Sequence, residues 1–421
     1  MADSFRIPVA DLILAVASAA DLVSPAVADH HKRVAYIADS LAAELALATA
    51  GRRELAIGAA LHDIGAFSLK DRLDTLRFEM EAPHRHAELG YRFLREFEPL
   101  AGVASIIRFH HVPWESGAGE TFNGLPVPDA SHLLHLADRV DVLARQDTHI
   151  LQLSPQITAR IEEAQGSLFI PEHVAAYRRL AEREYFWLDL SAPNLDQILR
   201  RRIGHDELVL DAHDMAKLAM LLSHIIDFKS PFTVTHSAGV AATAEQLARL
   251  AGFSGEDCQR MLIAGYLHDL GKLAVPAEIL EKPSSLTPEE FDVVKIHTYQ
   301  TRRILDPISD LTTITGWAAS HHERLDGNGY PFHHSAAELS RGARIMAVAD
   351  VFTAISEDRP YRAGMPREKV VQVLTEMGQS GKLDIEIVQL LLDNHDQVDA
   401  VRIEAQRTGE SSYRAKVLET A

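Results

Sequence analysis

The feature that most constrains this 421-residue chain is an internal repeat about half its length. The segment DLVSPAVADHHKRVA (21–35) aligns with DFKSPFTVTHSAGVA (227–241) at an offset of 206, and LHDIG (61–65) aligns with LHDLG (267–271) at the same offset. HAELGYRFL (86–94) matches HTYQTRRIL (297–305) at an offset of 211, as do the pairs His110–His111 and His321–His322. HLADRVDVL (135–143) then matches AVADVFTAI (347–355) at 212, and GSLFIPEHV (166–174) resembles GKLDIEIVQ (381–389) at 215. A small, steady upward drift describes a duplicated domain with a few loop insertions, whereas chance matches between apolar helices scatter. This places one domain at 1–195, a second at 205–402 and a charged, weakly periodic tail at 403–421, with LSAPNLDQ (190–197) as the linker or helix break.

The periodicity is helical almost throughout, which predicts an all-α fold of two tandem domains. HSAGVAATAEQLARLAG (236–252) has apolar residues at helical spacing and Gly252 where a C-cap belongs. TPEEFDVVKIHTYQTRRIL (287–305) opens with Thr287, Pro288 and Glu290, a helix start with a capping box. EHVAAYRRLAEREYFWL (172–188) reads as another helix. The apolar run Leu12–Ala20 is bracketed by Asp11 and Asp21 and is too short for a bilayer, so it reads as a buried helix and no membrane span is expected. Asp3 and the single Arg6 make a poor signal-peptide start.

Composition narrows the chemistry. The lone Cys258 excludes an internal disulfide or a multi-thiolate site and fits a cytoplasmic setting. A net charge of −18 argues against a nucleic-acid polymer as partner. An anionic small molecule is still allowed where metals set the local field. Histidine is abundant, at 22 residues, and its placement carries the argument.

In the second half, His236, His268, Asp269, His297, His321, His322 and Asp350 recur in the same order as their counterparts in the first. Imidazole and carboxylate donors suit divalent iron, manganese or zinc. Neighbouring residues on a helix point about 100° apart, so the dyad His268–Asp269 can send its imidazole to one ion and its carboxylate to a bridge between two. The plainer reading of any one of these residues is a buried histidine with a hydrogen bond, but seven in the same order in both halves make coincidence a poor account. Gly271–Lys272 follows the dyad, and Gly327, Gly329 and Pro331 shape a loop joined directly to His321–His322.

HDLGK (268–272) and HHERLDGNGYP (321–331), with SPFTVTHS (230–237) and ARIMAVADVFTAISEDRPYR (343–362) around them, resemble the HD-GYP family of the HD superfamily over about 210–395. The resemblance implies an all-helical, metal-dependent phosphodiesterase that opens cyclic di-GMP or 3′,3′-cyclic GMP-AMP to a linear dinucleotide. It implies two divalent ions, iron or manganese foremost, on the seven residues just named, with Asp269 as bridging and catalytic carboxylate. It gives Lys272 the scissile phosphate, and Tyr330, Arg359 and Arg362 the substrate. Phe232 stands where some members have a glutamate for a third metal, so two are expected. A hydroxide shared between two cations is the natural in-line nucleophile, with Lys272 offsetting the growing negative charge. Asp326 and Glu323 fit either a direct role or a turn. The resemblance also allows a homodimer.

In the first half the ligand positions are His30, His62, Asp63, His86, His110, His111 and Asp138, so a second metal site is available there. Ala66 replaces the lysine, HHVPWESGAGE (110–120) replaces the GYP loop, and no counterpart of DRPYR exists. A metal-bearing regulatory module, a second phosphohydrolase and a packing remnant are all open for this half. For the chain as a whole, the competing reading is a non-catalytic module that senses a cyclic dinucleotide or a metal and acts through a partner protein. Tyr185–Trp187 reads as packing, Arg200–Arg202 as a solvated helix end, and His132, His135, His205, His213, His333 and His334 as surface or capping residues.

Overall fold

The computed structural model describes residues 4–22, 28–66, 74–78, 83–144, 149–229, 235–282, 284–358 and 363–418. Both halves of the repeat are helical, with only short strands. The chain divides into two units at 208/209, and the residues before Pro8 belong with the second. That division lies beyond the stretch at 190–197, which breaks the helix only briefly.

β1 (Ser4–Pro8), which counts with the second unit up to Ile7, leads into the first helix of the first unit, α1 (Val9–Asp21), the buried helix expected from the apolar run. Then follow α2 (His30–Glu44), α3 (Thr49–Leu61), α4 (Pro83–Leu94) and α5 (Glu98–Arg108). A ribbon of β2 (Thr121–Phe122) and β3 (Leu125–Pro126) precedes α6 (Asp129–Leu143). α7 (Ile150–Glu163), α8 (Pro171–Ala181), α9 (Glu184–Leu190) and α10 (Leu195–Ile203) complete it. α2 is the central helix: it packs on α1, α3, α6, α8 and α10, and nearly every side chain from His30 to Ala42 is buried. A helix buried on all sides needs no polar stripe.

Two expectations for this unit change. The segment 172–188 is not one helix. It breaks at Glu182–Arg183, where Arg183 turns extended (φ −105°, ψ 114°), and the Trp187 indole donates to the Ala181 carbonyl across the break at 3.0 Å. Phe186 and Trp187 are core residues, as the packing reading had it, while Tyr185 is exposed. The basic run 200–202 is not simply solvated. Arg200 pairs with Asp11 at 2.7 Å, and Arg202 pairs with Asp39 at 3.0 Å while its guanidinium lies over the Tyr36 ring.

The second unit contains β4 (Glu207–Asp211), which pairs with β1, then α11 (Ala212–Lys229), α12 (His236–Leu250) and α13 (Gly255–Leu267). After a 3-10 turn at Leu270–Ala274 come α14 (Ala277–Leu280), α15 (Pro288–Leu305), α16 (Thr312–Ala319) and α17 (Arg341–Ser356). α18 (Arg367–Gln379), α19 (Ile385–Asp393) and α20 (His395–Leu418) close the chain. α12 repeats the part of α2, packing on α13, α17 and α20. The capping box at Thr287–Glu290 is formed, and Gly252 follows α12 in the left-handed region at φ 80°. The weakly periodic tail is helical through Leu418, since α20 runs on past residue 403. Among the described residues no helix is long and apolar enough to cross a membrane.

Candidate metal centres

The site in the second unit is assembled from helix ends. His236 is the first residue of α12, His268 caps the C-terminus of α13, and His321–His322 follow α16. Carbonyls in the last turn of a helix lack helical partners, so they are free to accept from side chains. His268 Nδ1 donates to the Gly265 carbonyl at 2.7 Å and His321 Nδ1 to Ala318 at 2.6 Å. His297, inside α15, donates in the same way to Val294 at 2.6 Å. A carbonyl only accepts, so each ring carries its proton on Nδ1 and presents a bare Nε2 to the pocket.

Those Nε2 atoms converge on Asp269. Its Oδ2 lies 3.1 Å from His268 and 4.0 Å from His236, and its Oδ1 lies 3.6 Å from His297 and 3.9 Å from His321. Asp350 adds Oδ1 at 3.2 Å from His236 and Oδ2 at 3.8 Å from His322 Nδ1. His236, His268 and Asp350 offer donor atoms within 4.8 Å of one another, as do His297, His321 and His322. All seven positions therefore come together as two adjoining nests with Asp269 between them. The buried atoms His268 Nε2 and Asp269 Oδ1 have no hydrogen-bond partner. Buried polar atoms left unmade are costly, and a divalent ion would satisfy them, so the donor set fits a metal.

The electrostatics agree with that fit. Burial, then the neighbouring His322, hold His297 down at about 3, and burial holds His322 at about 4 despite the two carboxylates. His321 is pushed well below its usual range by burial and its imidazole neighbours. These rings are neutral at pH 7, the form that binds a metal. His236 is the exception: burial opposes its charge, but Glu357 on Nδ1 and Asp350 on Nε2 outweigh burial and raise it to about 10. Asp269 and Asp350 stay ionised, their burial outweighed by His268 and Lys272 in one case and by His236 in the other. The buried Glu357 carboxylate, 3.1 Å from His236 Nδ1, was not singled out in the sequence.

Around the nests, Lys272 Nζ lies 2.6 Å from Asp269 Oδ2, with its side chain 20% exposed. The Tyr330 ring lies beside His322 at 4.9 Å between centroids, tilted by 41°. The loop that carries it is built by Glu323, whose buried carboxylate accepts from the Phe332 and His334 amides at 2.7 and 3.0 Å. Gly329 is required there, because a Cβ would collide with the backbone of Glu323 and Arg324. Asp326 accepts from the Asn328 amide at 2.8 Å, a turn contact, which favours the turn reading for this residue. Arg359, Arg362 and Phe232 lie outside the described residues.

The first unit repeats the design. His62 caps α3 and its Nδ1 donates to Ala59 at 2.8 Å, and His110 Nδ1 donates to Ile107 at 2.6 Å. Asp63 stands between two nests, with Oδ2 at 3.5 Å from His62 and 3.8 Å from His30, and Oδ1 at 3.1 Å from His86 and 3.7 Å from His110. His111 lies 3.1 Å from His86, and Asp138 Oδ1 lies 3.5 Å from His30. His30 Nε2, His62 Nε2, Asp63 Oδ1, His110 Nε2 and Asp138 Oδ1 are all buried without a hydrogen-bond partner, so this half fits a metal too. Asp141 holds His30 Nδ1 at 2.7 Å, the part Glu357 plays for His236.

The glycine of each HD-x-G motif has one job in both units. A Cβ on Gly65 would strike the His86 carbonyl, and one on Gly271 the His297 carbonyl. Only glycine lets the helix bearing the third histidine reach the Asp63 or Asp269 turn. His132 and His135, read as surface or capping residues, are instead buried, and the His135 ring centroid lies 5.7 Å from that of His111.

Family models described as "HD domain" match residues 27–146 and 220–387. The chain is 29% identical over 400 residues to a Vibrio cholerae 3′,3′-cGAMP-specific phosphodiesterase 1, covering 91% of this chain and 90% of that one. It is 34% identical over 284 residues to the V. cholerae 3′,3′-cGAMP-specific phosphodiesterase 3, covering 67% and 61%. This is an HD-GYP family protein. Its HD-GYP domain is the second unit, and the first is an HD domain without the GYP loop. A crystal structure of a V. cholerae cyclic GMP-AMP specific phosphodiesterase superposes with a TM-score of 0.67 at 24% identity, covering 94% of this chain and 98% of that one, so the HD–HD-GYP fold is shared. A Pseudomonas aeruginosa cyclic di-GMP phosphodiesterase is 38% identical over 146 residues, about a third of each chain.

Proposed function

We propose that the HD-GYP domain hydrolyses 3′,3′-cyclic GMP-AMP, and cyclic di-GMP less well, to the linear dinucleotide. The chain is a metal-dependent phosphodiesterase of cyclic dinucleotides. The observation that carries this reading is the pair of histidine–carboxylate nests about Asp269, beside Lys272 and with an open face at His322, whose side chain is 28% exposed. The preference for the mixed cyclic dinucleotide rests on the match to a cGAMP-specific relative over nine-tenths of both chains, whereas the cyclic di-GMP relative matches about a third of each.

His236, His268, Asp269 and Asp350 would hold one ion and Asp269, His297, His321 and His322 the other, with iron or manganese as the metals proposed. When bound there, two such ions supply positive charge at the phosphate and a lowered pKa for attacking water. The protein's own groups do the rest. Carbonyl-anchored Nδ1 protons fix the imidazoles of His268, His297 and His321, so no ring must turn as substrate arrives. Glu357 takes that role for His236. Lys272 brings a cation to the site, where it would offset charge on the phosphate in the transition state. The Tyr330 ring walls the open side, and Glu323 keeps its loop in place.

The test is a side-by-side assay of purified, manganese-loaded protein with both cyclic dinucleotides, products separated by chromatography. Linear dinucleotide from 3′,3′-cyclic GMP-AMP at the higher kcat/KM is expected. No linear product from either substrate, with metal present by elemental analysis, would remove the catalytic reading.

A further inference from the structure

The two sites share ligands but not their surroundings, and Arg139 is the main difference. It follows Asp138 directly on α6, and it is a large polar side chain only 1% exposed. All five of its N–H groups have acceptors. Nε and Nη2 donate to Asp138 Oδ2 at 3.2 and 2.5 Å, Nη2 also donates to the Thr75 carbonyl at 2.9 Å, and Nη1 donates to the carbonyls of Arg77 and of Phe78. A planar guanidinium saturated in this way is a rigid tie. It fastens the 74–78 segment to a carboxylate of the nest and leaves Asp138 only Oδ1 for an ion.

Among its described residues the HD-GYP domain has no such tie. The position equivalent to Arg139 is Val351. Asp350 turns Oδ1 toward His236 and Oδ2 toward His322, both within 4.0 Å, whereas among the described residues Asp138 makes no such pair with His111. His111 is 5% exposed, and His135, itself packed on Phe169, stands edge-on to it. The equivalent of His135 is Ala347, and the ring beside His322 is Tyr330, which leaves His322 partly open. Metal sites that act on substrates keep an open position, and closed ones hold structure.

We infer that Arg139 locks the HD domain's nest into a closed metal site whose ion exchanges slowly and sustains the fold of that domain, while the HD-GYP ions exchange freely. The inference rests on the reading that both halves hold metal. An ion leaving the first nest must part the Arg139–Asp138 pair or lift the 74–78 segment. An ion leaving the second has the His322 face as its exit.

The experiment loads the full chain with manganese and follows metal release to excess EDTA, by metal analysis after rapid desalting. Release in two phases is expected. His62→Ala should remove the slow phase and His268→Ala the fast one. Arg139→Met should accelerate the slow phase by about tenfold or more, the scale on which groups supporting a ligand act on metal sites. If His62→Ala leaves the metal content per chain unchanged, the premise that the first half holds metal is wrong. If it lowers the content but wild-type release is a single fast phase, the premise stands and the closed site is overturned. A slow phase untouched by Arg139→Met in a folded protein, checked by circular dichroism, would remove Arg139 as the lock. Should that variant not fold, Arg139→Lys, which keeps the charge but loses the fork, takes its place with the same reading of the outcome.

Discussion

The two halves pose one ligand problem and solve it with different neighbours. Each sets a carboxylate, Asp63 or Asp269, between two histidine nests, and each anchors its imidazoles on helix-end carbonyls. The differences lie one layer out. Behind the first histidine, the HD domain uses Asp141, three residues after Asp138 and paired with Arg33 at 2.5 Å. The HD-GYP domain uses Glu357, seven residues after Asp350 and just past the end of α17. Beside the bridging carboxylate, Lys272 stands in one half and Ala66 in the other. At the mouth, Tyr330 leaves His322 accessible, whereas His135 stands against its counterpart His111 and Arg139 ties down Asp138. Ligand identity decides that a metal fits, and the surrounding residues decide whether a substrate can reach it.

The largest break in the comparison is expected at the bridging carboxylates. Asp269→Asn should abolish hydrolysis and lower the metal content of the HD-GYP domain. Asp63→Asn should leave hydrolysis in place while lowering metal content and the thermal stability of the HD domain. Equal loss of hydrolysis in both variants would mean that the first site also turns over substrate or controls the second.

Next in size is Lys272→Ala, expected to lower kcat by about 10²–10³-fold with metal content intact, the usual loss for one charge-stabilising group. An unchanged kcat would leave Lys272 as only the partner of Asp269. Smaller again is the pair Glu357→Gln and Asp141→Asn. Each should weaken metal binding by about 10–100-fold, but only in its own half. Because Glu357→Gln acts through His236, excess manganese should restore its hydrolysis, whereas no amount of metal should rescue Lys272→Ala.

Much of this was legible in the sequence because the ligands sit within helices or at their ends, where the helix fixes the spacing. His30 to His62 and His236 to His268 are both 32 residues apart. Insertions between the halves fall in the loops, so the register of the nests survived and could be read. What escaped notice depends on contacts distant in the chain. Arg139 gains meaning only when the 74–78 backbone arrives beside it, about 60 residues away in sequence. Glu357 gains it from His236, 121 residues away. His132 and His135 lie on α6 near Asp138, and only tertiary packing buries them. The break in 172–188 carries no proline or glycine, and it is held instead by the Trp187–Ala181 contact.

The smallest effect sharpens the comparison at the level of folding. α15 carries His297 into the site, and its start is fixed by the Thr287–Glu290 box, with Thr287 accepting from the Glu290 amide at 3.3 Å and Glu290 accepting from the Thr287 amide at 2.7 Å. Thr287 is exposed and Glu290 half-buried, and neither belongs to the apolar core, so removing the cap disturbs no core packing. Thr287→Ala should then cost about 1 kcal/mol. In a unit of about 200 residues that lowers Tm by roughly 2–4 °C. The loss should appear in the unfolding of the manganese-loaded HD-GYP domain, read by metal release on heating, and leave any metal bound by the HD domain in place. If both classes of ion were lost at the same lowered temperature, the two halves would unfold as one cooperative body, and the different surroundings of their metals would not translate into separate stabilities.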